Sequence, residues 1–141
     1  MNTAAKTVIT IHATIHAPVE KVWDTWFNPE HITRFNAASD DWHTPKATVD
    51  LKPGGIFTSR MEAKDGSMGF DFYGTYDTVI PGKHVSITMG DGRKWTVDFT
   101  PEGTGTLVTE AFEAEDTNPH EMQRGGWQAI LDNFKKYTES L

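Results

Sequence analysis

The sequence contains no cysteine, which excludes disulfides, thiolate metal sites and cysteine nucleophiles. Basic residues are also few: 13 Lys and Arg face 20 Asp and Glu, for a formal net charge of −7. Nucleic acids and anionic membranes both attract basic surfaces, so we expect neither as a partner. No run approaches the roughly 18 apolar residues of a membrane span, and the N-terminus lacks the apolar run of a signal peptide. A cytoplasmic protein is the resulting expectation.

Aromatic residues, in contrast, are plentiful. The 141 residues include five Trp and eight Phe, and 37% of the chain is hydrophobic. This composition is typical of a globular chain, and the length is typical of one domain with a substantial core. Neither an internal repeat nor a low-complexity linker divides the sequence. We therefore expect a single domain over residues 1–141.

Hydrophobic periodicity predicts strand, two short helices, six strands and a long helix. "TVITIHATIH" alternates as a half-buried strand does, and "APVEKVWDTWF" and "NPEHITRF" have helical spacing, the second with Asn28 as its cap. The six further strands are predicted over 47–51, 56–62, 69–80, 84–89, 94–100 and 106–114, most of them separated by Gly-containing turns. The last helix is expected to begin near Thr117 or Asn118, with Pro119 just inside it.

This order favours an α+β fold in which a curved antiparallel sheet of six to seven strands is covered by the C-terminal helix. The short turns favour antiparallel pairing, and the long helix is the only element able to cover the apolar side of the sheet. A gap then remains between helix and sheet, to be filled by side chains or by a ligand. The side chains predicted to face it from the sheet are Phe57, Met61, Phe70, Phe72, Tyr76, Trp95, Val97 and Phe99.

The last strand carries an unusual candidate, Glu110. Choosing the bulkier parity set, with Val108 and Phe112, turns Glu110 inward, where a carboxylate is costly unless it is paired, hydrogen-bonded or protonated. A bulge or a shifted parity would instead turn it to solvent. Both orientations are open from the sequence.

The long helix carries a second polar candidate, Gln123. At about 100° per residue, Gln123 lies close to an apolar stripe formed by Trp127, Ile130, Leu131, Phe134 and Leu141. It either meets a ligand or uses its amide to bridge loops. The neighbouring Gly125 and Gly126 are poor helix formers and suggest that the helix is thinned where something else must fit.

The segment "NAASDDWH", residues 36–43, places Asp41, Trp42 and His43 together in a predicted connection. Trp42 is expected to lean on the core, with Asp41 and His43 near Gln123 at the rim of the gap. His43 is a candidate acid–base partner of Asp41 or Glu110. A solvated helix-capping turn is the alternative.

Sequence motifs for other chemistry are missing. His12 and His16 have the i, i+4 spacing of a helical metal-binding pair, but they lie in or just after a strand pattern, so a shared ligand face is not expected. The glycine pairs lack the residues of a phosphate-binding loop, and no serine lies in a nucleophile-elbow sequence. We therefore expect no metal and no cofactor.

Five segments together resemble the START-like superfamily, also called SRPBCC. They are "IHAPVEKVWDTWFNPEHITRF", "DLKPGGIFTSRM", "GFDFYGTYDTV", "GTLVTEAF" and "GGWQAILDNFKKYTE". Within it, the chain resembles small bacterial single-domain members of the family named after the activator of heat-shock-protein-90 ATPase. The resemblance implies a helix-grip fold, in which a curved sheet grips a long C-terminal helix around a deep hydrophobic cavity.

What such proteins do varies across the superfamily, which includes lipid carriers, aromatic polyketide cyclases, hormone receptors and a co-chaperone domain. The eukaryotic co-chaperone has an additional N-terminal domain that this sequence does not contain, so we do not expect a chaperone partner. The leading hypothesis is binding of a small, mainly hydrophobic, aromatic or lipid-like ligand. Its predicted contacts are Trp42, Phe70, Phe72, Tyr76, Trp95, Glu110, Phe112, Gln123, Trp127 and Ile130.

Two alternatives stay open. One is a cyclase- or hydrolase-type enzyme with Glu110 or His43 as the catalytic group, and the other is a chaperone-regulating interaction module. Nothing in one sequence selects between a monomer and a homodimer.

Overall fold

The computed structural model describes residues 6–141. The first five residues of the expected domain lie outside the described part. The elements in chain order are β1 (Val8–Ile15), α1 (Val19–Phe27), α2 (Pro29–Phe35), β2 (Trp42–Val49), β3 (Ile56–Ala63), β4 (Gly69–Ile80), β5 (His84–Met89), β6 (Lys94–Glu102), β7 (Gly105–Glu113) and α3 (His120–Glu139).

The seven strands form one curled antiparallel sheet in the order β1-β7-β6-β5-β4-β3-β2. Each strand from β2 to β7 pairs with its neighbour in the chain, whereas β1 pairs with β7, so the first strand lies beside the last. The predicted α+β class, the antiparallel sheet and the two short helices after β1 are confirmed. This is the helix-grip architecture.

Strand β1 confirms the predicted alternation, because Ile9, Ile11, Ala13 and Ile15 are all buried. It is also an edge strand, and α3 covers its free side. Three α3 side chains donate hydrogen bonds to three successive outward carbonyls: Arg124 to Thr10 at 2.8 Å, Gln128 to His12 at 3.3 Å and Lys135 to Thr14 at 2.6 Å. These bonds satisfy an edge that would otherwise be open to pairing with another chain, and they fix α3 along the sheet.

The helices α1 and α2 close one end of the space between α3 and the sheet. The ring of Trp26 meets that of Phe134 at a centroid distance of 4.8 Å, and Phe35 meets Phe134 at 5.0 Å. Both pairs are edge-to-face, the arrangement that aromatic quadrupoles favour. Asn28 caps α2 as predicted, since its side chain accepts a hydrogen bond from the backbone N–H of Glu30.

Strand β2 corrects the sequence-based boundary. It was expected at 47–51, but it runs from Trp42 to Val49, so Trp42 and His43 are strand residues rather than part of a connection. Trp42 lies opposite Ala63, and the register shifts between His43 and Lys46. Proline has no N–H for a ladder, and the irregularity surrounds Pro45, which an edge strand tolerates.

Helix α3 corrects two further expectations. It begins at His120, after an extended Pro119, and neither Thr117 nor Asn118 is its cap. Leu141 lies beyond the helix end and is 51% exposed, so it does not continue the apolar stripe. No helix within residues 6–141 has both the length and the apolar character needed to cross a membrane.

Candidate functional site

A cavity of about 380 Å³ lies between the curled sheet and the helices. Its volume is within the range of small-molecule sites, which are mostly apolar with a few placed polar groups. Its apolar lining is Trp26, Phe27, Ile32, Phe35, Val49, Phe57, Met61, Phe70, Phe72, Tyr76, Ile87, Trp95, Trp127, Ile130 and Phe134. Its polar lining is Asn36, Ser59, Arg93, Glu110 and Glu115.

The cavity brings together most of the residues that the sequence singled out. Seven of the ten predicted contacts line it: Phe70, Phe72, Tyr76, Trp95, Glu110, Trp127 and Ile130. Phe70 is 50% exposed, so it lies where the cavity opens to solvent. The remaining three, Trp42, Phe112 and Gln123, are placed elsewhere.

Phe112 supports the cavity from behind. It is fully buried, and its ring stacks on that of Trp127 with centroids 3.9 Å apart and planes 9° apart. Trp127 in turn meets Trp95 edge-to-face at 5.1 Å, and Phe72 at 6.3 Å. Each wall ring is therefore held by another ring, which keeps the apolar surface formed without a ligand.

Glu110 is the polar group at the centre of the apolar walls. It lies on β7 between Ile11 of β1 and Val97 of β6, and only 3% of its surface is exposed. The inward orientation that the sequence left open is therefore the observed one. The indole Nε1 of Trp95 donates a hydrogen bond to Oε1 of Glu110 at 3.0 Å.

Burial changes the chemistry of this carboxyl group. It raises the pKa of Glu110 from 4.5 to about 8, and the hydrogen bond from Trp95 opposes the rise only in part. A carboxyl group without a cationic partner in an apolar site keeps its proton because the charged form is poorly solvated. Glu110 is accordingly neutral for the most part at pH 7.

Two other titratable groups of the lining are already engaged, and a third stays neutral. Arg93 donates from Nε to the Asp91 carboxylate at 2.7 Å and from Nη1 to the carbonyl of Glu113 at 3.1 Å. Oε1 of Glu115 accepts from the backbone N–H of Asn118 at 2.6 Å. Burial strongly raises the pKa of Tyr76, so its hydroxyl stays protonated.

Gln123 is buried, as its place beside the apolar stripe predicted, but it does not line the cavity. Its Oε1 accepts from the backbone N–H of Glu115, and its Nε2 donates to the carbonyls of Glu115 and Asn118. The amide thus ties the loop before α3 to the first turn of the helix. The loop-bridging alternative describes the observed contacts of the amide, and the ligand contact stays a prediction for a residue outside the cavity lining.

The predicted rim at residues 41–43 is a separate depression. Trp42 and His43 line it together with residues of α2 and the end of α3, and neither lines the main cavity. The nearest carboxylate to the His43 ring is that of Glu62, at 3.9 Å, while Asp41 accepts from Ser39. His43 therefore pairs with neither Asp41 nor Glu110, and only Trp42 approaches the mouth, with its ring centroid 6.0 Å from that of Phe70.

Sequence reasoning missed several lining residues. Neither Arg93 nor Ser59 was among the predicted cavity residues, yet Ser59 is buried. Ser59 lies two residues from both Phe57 and Met61, which were predicted to face inward. Because alternate residues of a strand share a face, this spacing could have predicted that Ser59 faces the cavity. Nothing in the local pattern identified Arg93 or Glu115.

The glycine pair of α3 has no closely approaching atom among the described residues. A Cβ atom built on Gly125 or Gly126 would meet nothing within 4 Å. Within the described residues, no three His, Cys, Asp or Glu side chains gather as metal ligands would.

Comparison with known proteins agrees with this fold. The AHSA1-like protein from Aeromonas hydrophila, a solution NMR structure, is 48% identical, with 95% of this chain and 93% of that protein covered and a TM-score of 0.89. Chr148 from Cytophaga hutchinsonii, also a solution structure, is 52% identical over 94% and 92%, with a TM-score of 0.82. Protein NE0264 from Nitrosomonas europaea shares the fold at 19% identity, with a TM-score of 0.83 and 99% of both chains covered.

No match was found among curated proteins. The sequence profile of the family described as Activator of Hsp90 ATPase homolog 1-like protein matches residues 16–139, most of the chain. Together with the two relatives near half identity, this match shows that the chain belongs to the Activator of Hsp90 ATPase homolog 1-like family.

Proposed function

We propose that the protein binds a small, mainly hydrophobic, ring-containing molecule in the cavity between sheet and helices. The observation that carries the proposal is a formed cavity of about 380 Å³ whose walls are aromatic and whose polar groups are few. Flat rings such as Trp95, Trp127 and Phe72 match the faces and edges of an aromatic ligand. Membership of a family with a START-like fold supports the same class of function.

The apolar surface of such a ligand sets the scale of its binding free energy. A molecule that buries on the order of 300 Å² of apolar surface gains about 7 kcal/mol at about 25 cal/mol per Å². Loss of translational and rotational freedom opposes this gain. Micromolar affinity corresponds to about 8 kcal/mol, so apolar burial alone does not reach it and polar contacts with the ligand must add to it. The ring-on-ring contacts of the lining form the walls before binding, which keeps the cost of ordering them small.

The proposal is tested by native mass spectrometry of the purified protein and by calorimetric titration with acetonaphthone. A paired substitution supplies the control. Ile130→Trp fills the cavity from α3, whereas Ile56→Trp adds the same ring at a position that is 56% exposed and outside the lining. We expect binding to be lost in the first variant and kept in the second. Equal binding by both variants would place the ligand outside the cavity and overturn the proposal.

Glu110 favours a second candidate, an enzyme that uses this carboxyl as a general acid or base. A protonated carboxyl with a pKa of about 8 inside a cavity is suited to proton transfer near neutral pH. In that case Glu110→Gln abolishes turnover of a bound substrate while its binding persists. If the wild type shows no turnover and Glu110→Gln loses binding, simple ligand binding is the function.

The chaperone activity in the family name describes other proteins, and we do not extend it to this chain. The cavity and its buried carboxyl support binding of a small molecule instead. Addition of this protein to a purified Hsp90 ATPase assay distinguishes the two: stimulation that persists in Ile130→Trp would favour a protein partner on the outer surface.

A further inference from the structure

We propose that Glu110 donates a hydrogen bond to a neutral acceptor oxygen of the ligand, so that the cavity selects a carbonyl-bearing aromatic molecule over hydrocarbons and amines. This inference rests on the proposed ligand-binding function and specifies the chemistry of the ligand.

The two oxygens of Glu110 have different surroundings. Oε1 accepts the hydrogen bond from Trp95, whereas no residue within 6–141 makes a hydrogen bond to Oε2. Glu110 is 3% exposed and is part of the cavity lining. Buried polar atoms usually have a partner. Among residues 6–141, the only side-chain N or O atom that is both fully enclosed and unpartnered is Thr138 Oγ1. Oε2 of Glu110 is unpartnered too, so it is not fully enclosed and must border open space. Oε2 therefore faces the cavity, where a ligand atom is its available partner.

The groups around Glu110 leave it uncharged. None of the cavity-lining residues on α1, α2, α3, β2, β3 and β5 is charged. The helices contribute Trp26, Phe27, Ile32, Phe35, Trp127, Ile130 and Phe134, and these strands contribute Val49, Phe57, Ser59, Met61 and Ile87. On the flanking strands, its cross-strand neighbours are Ile11 and Val97. The titratable lining groups are Tyr76, Arg93 and Glu115. Burial raises the pKa of Glu110 to about 8, so at neutral pH it carries a proton to donate.

A cationic ligand fits the cavity less well. An ammonium group must lose its hydration shell on entering an apolar site, and Glu110 must lose its proton to pair with it. Arg93 and Glu115 of the same lining carry opposite charges and are already engaged, so they offer a cation no free partner. A carbonyl oxygen requires neither change, because the hydrogen bond joins two neutral groups and satisfies an otherwise unpartnered buried oxygen.

Three probes with one ring system test the proposal. Acetonaphthone carries the carbonyl, isopropenylnaphthalene replaces its oxygen with a methylene group, and naphthylethylamine replaces the carbonyl with an amine. Dissociation constants are measured by calorimetry at about pH 6 and about pH 9.5, on either side of the Glu110 pKa. The proteins are the wild type, Glu110→Gln, which keeps an N–H donor but does not titrate, and Glu110→Met, which has no donor.

We expect the wild type at about pH 6 to bind the ketone about tenfold tighter than the alkene, the factor that one hydrogen bond supplies. At about pH 9.5 the wild type loses this preference because the carboxylate no longer donates. Glu110→Gln keeps the preference at both pH values, and Glu110→Met shows it at neither. The comparison of wild-type affinities at the two pH values tests the proposal even if a variant folds poorly.

The other outcomes contradict the inference in distinguishable ways. Equal affinity for ketone and alkene overturns it and leaves the ligand-binding function intact. Tighter binding of the amine, abolished by Glu110→Gln, overturns it in favour of a cation site. Failure of all three probes to bind overturns both the inference and the proposed function.

Discussion

The indole ring of Trp127 on α3 lies parallel to the phenyl ring of Phe112 on β7, with centroids 3.9 Å apart. Phe112 is fully buried in the core, and Trp127 lines the cavity. The stack therefore connects the wall that a ligand would touch to the interior that stabilises the fold. We therefore expect a change on either side of this contact to affect both stability and ligand binding.

Trp127→Ala is expected to lower the free energy of unfolding by about 3 kcal/mol, within the range for deletion of a large aromatic side chain. It removes the stack on Phe112 and the edge-to-face contact with Trp95, and it also enlarges the cavity. Urea denaturation measures the loss of stability, and titration with acetonaphthone measures the loss of binding. Trp127→Phe is the matched control, since it keeps a ring for the stack. Equal stability of the Ala and Phe variants would contradict the role of the stack.

Glu110 makes stability depend on pH. The folded chain holds the proton up to a pKa of about 8, whereas the unfolded carboxyl releases it near 4.5. The unfolded state therefore binds fewer protons between these values, and the free energy of unfolding falls as pH rises through this window and levels off above it. At about 1.4 kcal/mol per pH unit, the whole shift from 4.5 to about 8 corresponds to a loss on the order of 5 kcal/mol.

Glu110→Gln isolates this contribution, because every other titrating group is common to both proteins. We expect the stability of the variant relative to the wild type to rise from pH 5 to pH 9 by several kcal/mol, about 4 at most. Urea denaturation at a series of pH values measures the difference. A difference that stays constant across the series would show that the folded-state pKa of Glu110 is not raised.

Gln123 is expected to act on the loop before α3 and not on the ligand. Gln123→Met keeps a side chain of similar size but removes the three hydrogen bonds to Glu115 and Asn118. Stability should fall by about 2 kcal/mol, since buried backbone groups lose their partners. Faster hydrogen exchange at the Glu115 amide is the specific readout, with unchanged acetonaphthone affinity of the folded protein. Weaker binding together with unchanged exchange would restore the ligand contact first expected for Gln123.

The sequence predicted the fold well because the relevant patterns are local. The alternation of β1, the Gly-containing turns and the helical stripe of Trp127, Leu131 and Phe134 each depend on neighbouring residues alone. Boundaries were less accurate where tertiary pairing decides them. Trp42 joins β2 because Ala63 lies opposite it, which no local pattern records.

The site was predictable only in part, for the same reason. Parity along a strand brought Phe72, Tyr76 and Trp95 to the cavity, but it left Glu110 open between the inward orientation of its bulky neighbours and a solvent-facing one. Orientation alone did not show whether a polar group is already satisfied. Gln123 and Glu110 both point inward. Only the structure shows that backbone groups bond to the amide of Gln123, while one oxygen of Glu110 has no partner among residues 6–141.

Two glycines with opposite surroundings give a fourth prediction. Gly125 lies inside α3 with open space around a built Cβ, so Gly125→Ala should stabilise the protein by about 1 kcal/mol through helix propensity. At Gly55 the same Cβ would lie 1.9 Å from the carbonyl oxygen of Asp50, so Gly55→Ala should destabilise it strongly. Thermal unfolding of both variants measures the contrast. A destabilised Gly125→Ala would indicate that the space beside α3 is occupied.

Thr138 and Thr25 form a matched pair for the last prediction. Both are buried helical threonines, at 0% and 3% exposure, but their hydroxyl groups differ. Thr25 Oγ1 donates to the carbonyl of Lys21 at 2.7 Å, whereas Thr138 Oγ1 is enclosed without a partner among the described residues. An unpartnered buried hydroxyl loses its hydration without compensation.

Thr138→Val, which keeps the branched shape and removes the hydroxyl, is therefore expected to raise the free energy of unfolding by about 1 kcal/mol. Thr25→Val removes a satisfied hydrogen bond and should lower it by a similar amount or leave it unchanged. For a chain of this length the first change corresponds to a rise in Tm of about 4 °C, which calorimetry resolves. A lower Tm for Thr138→Val would mean that the hydroxyl has a partner in solution, most simply a buried water.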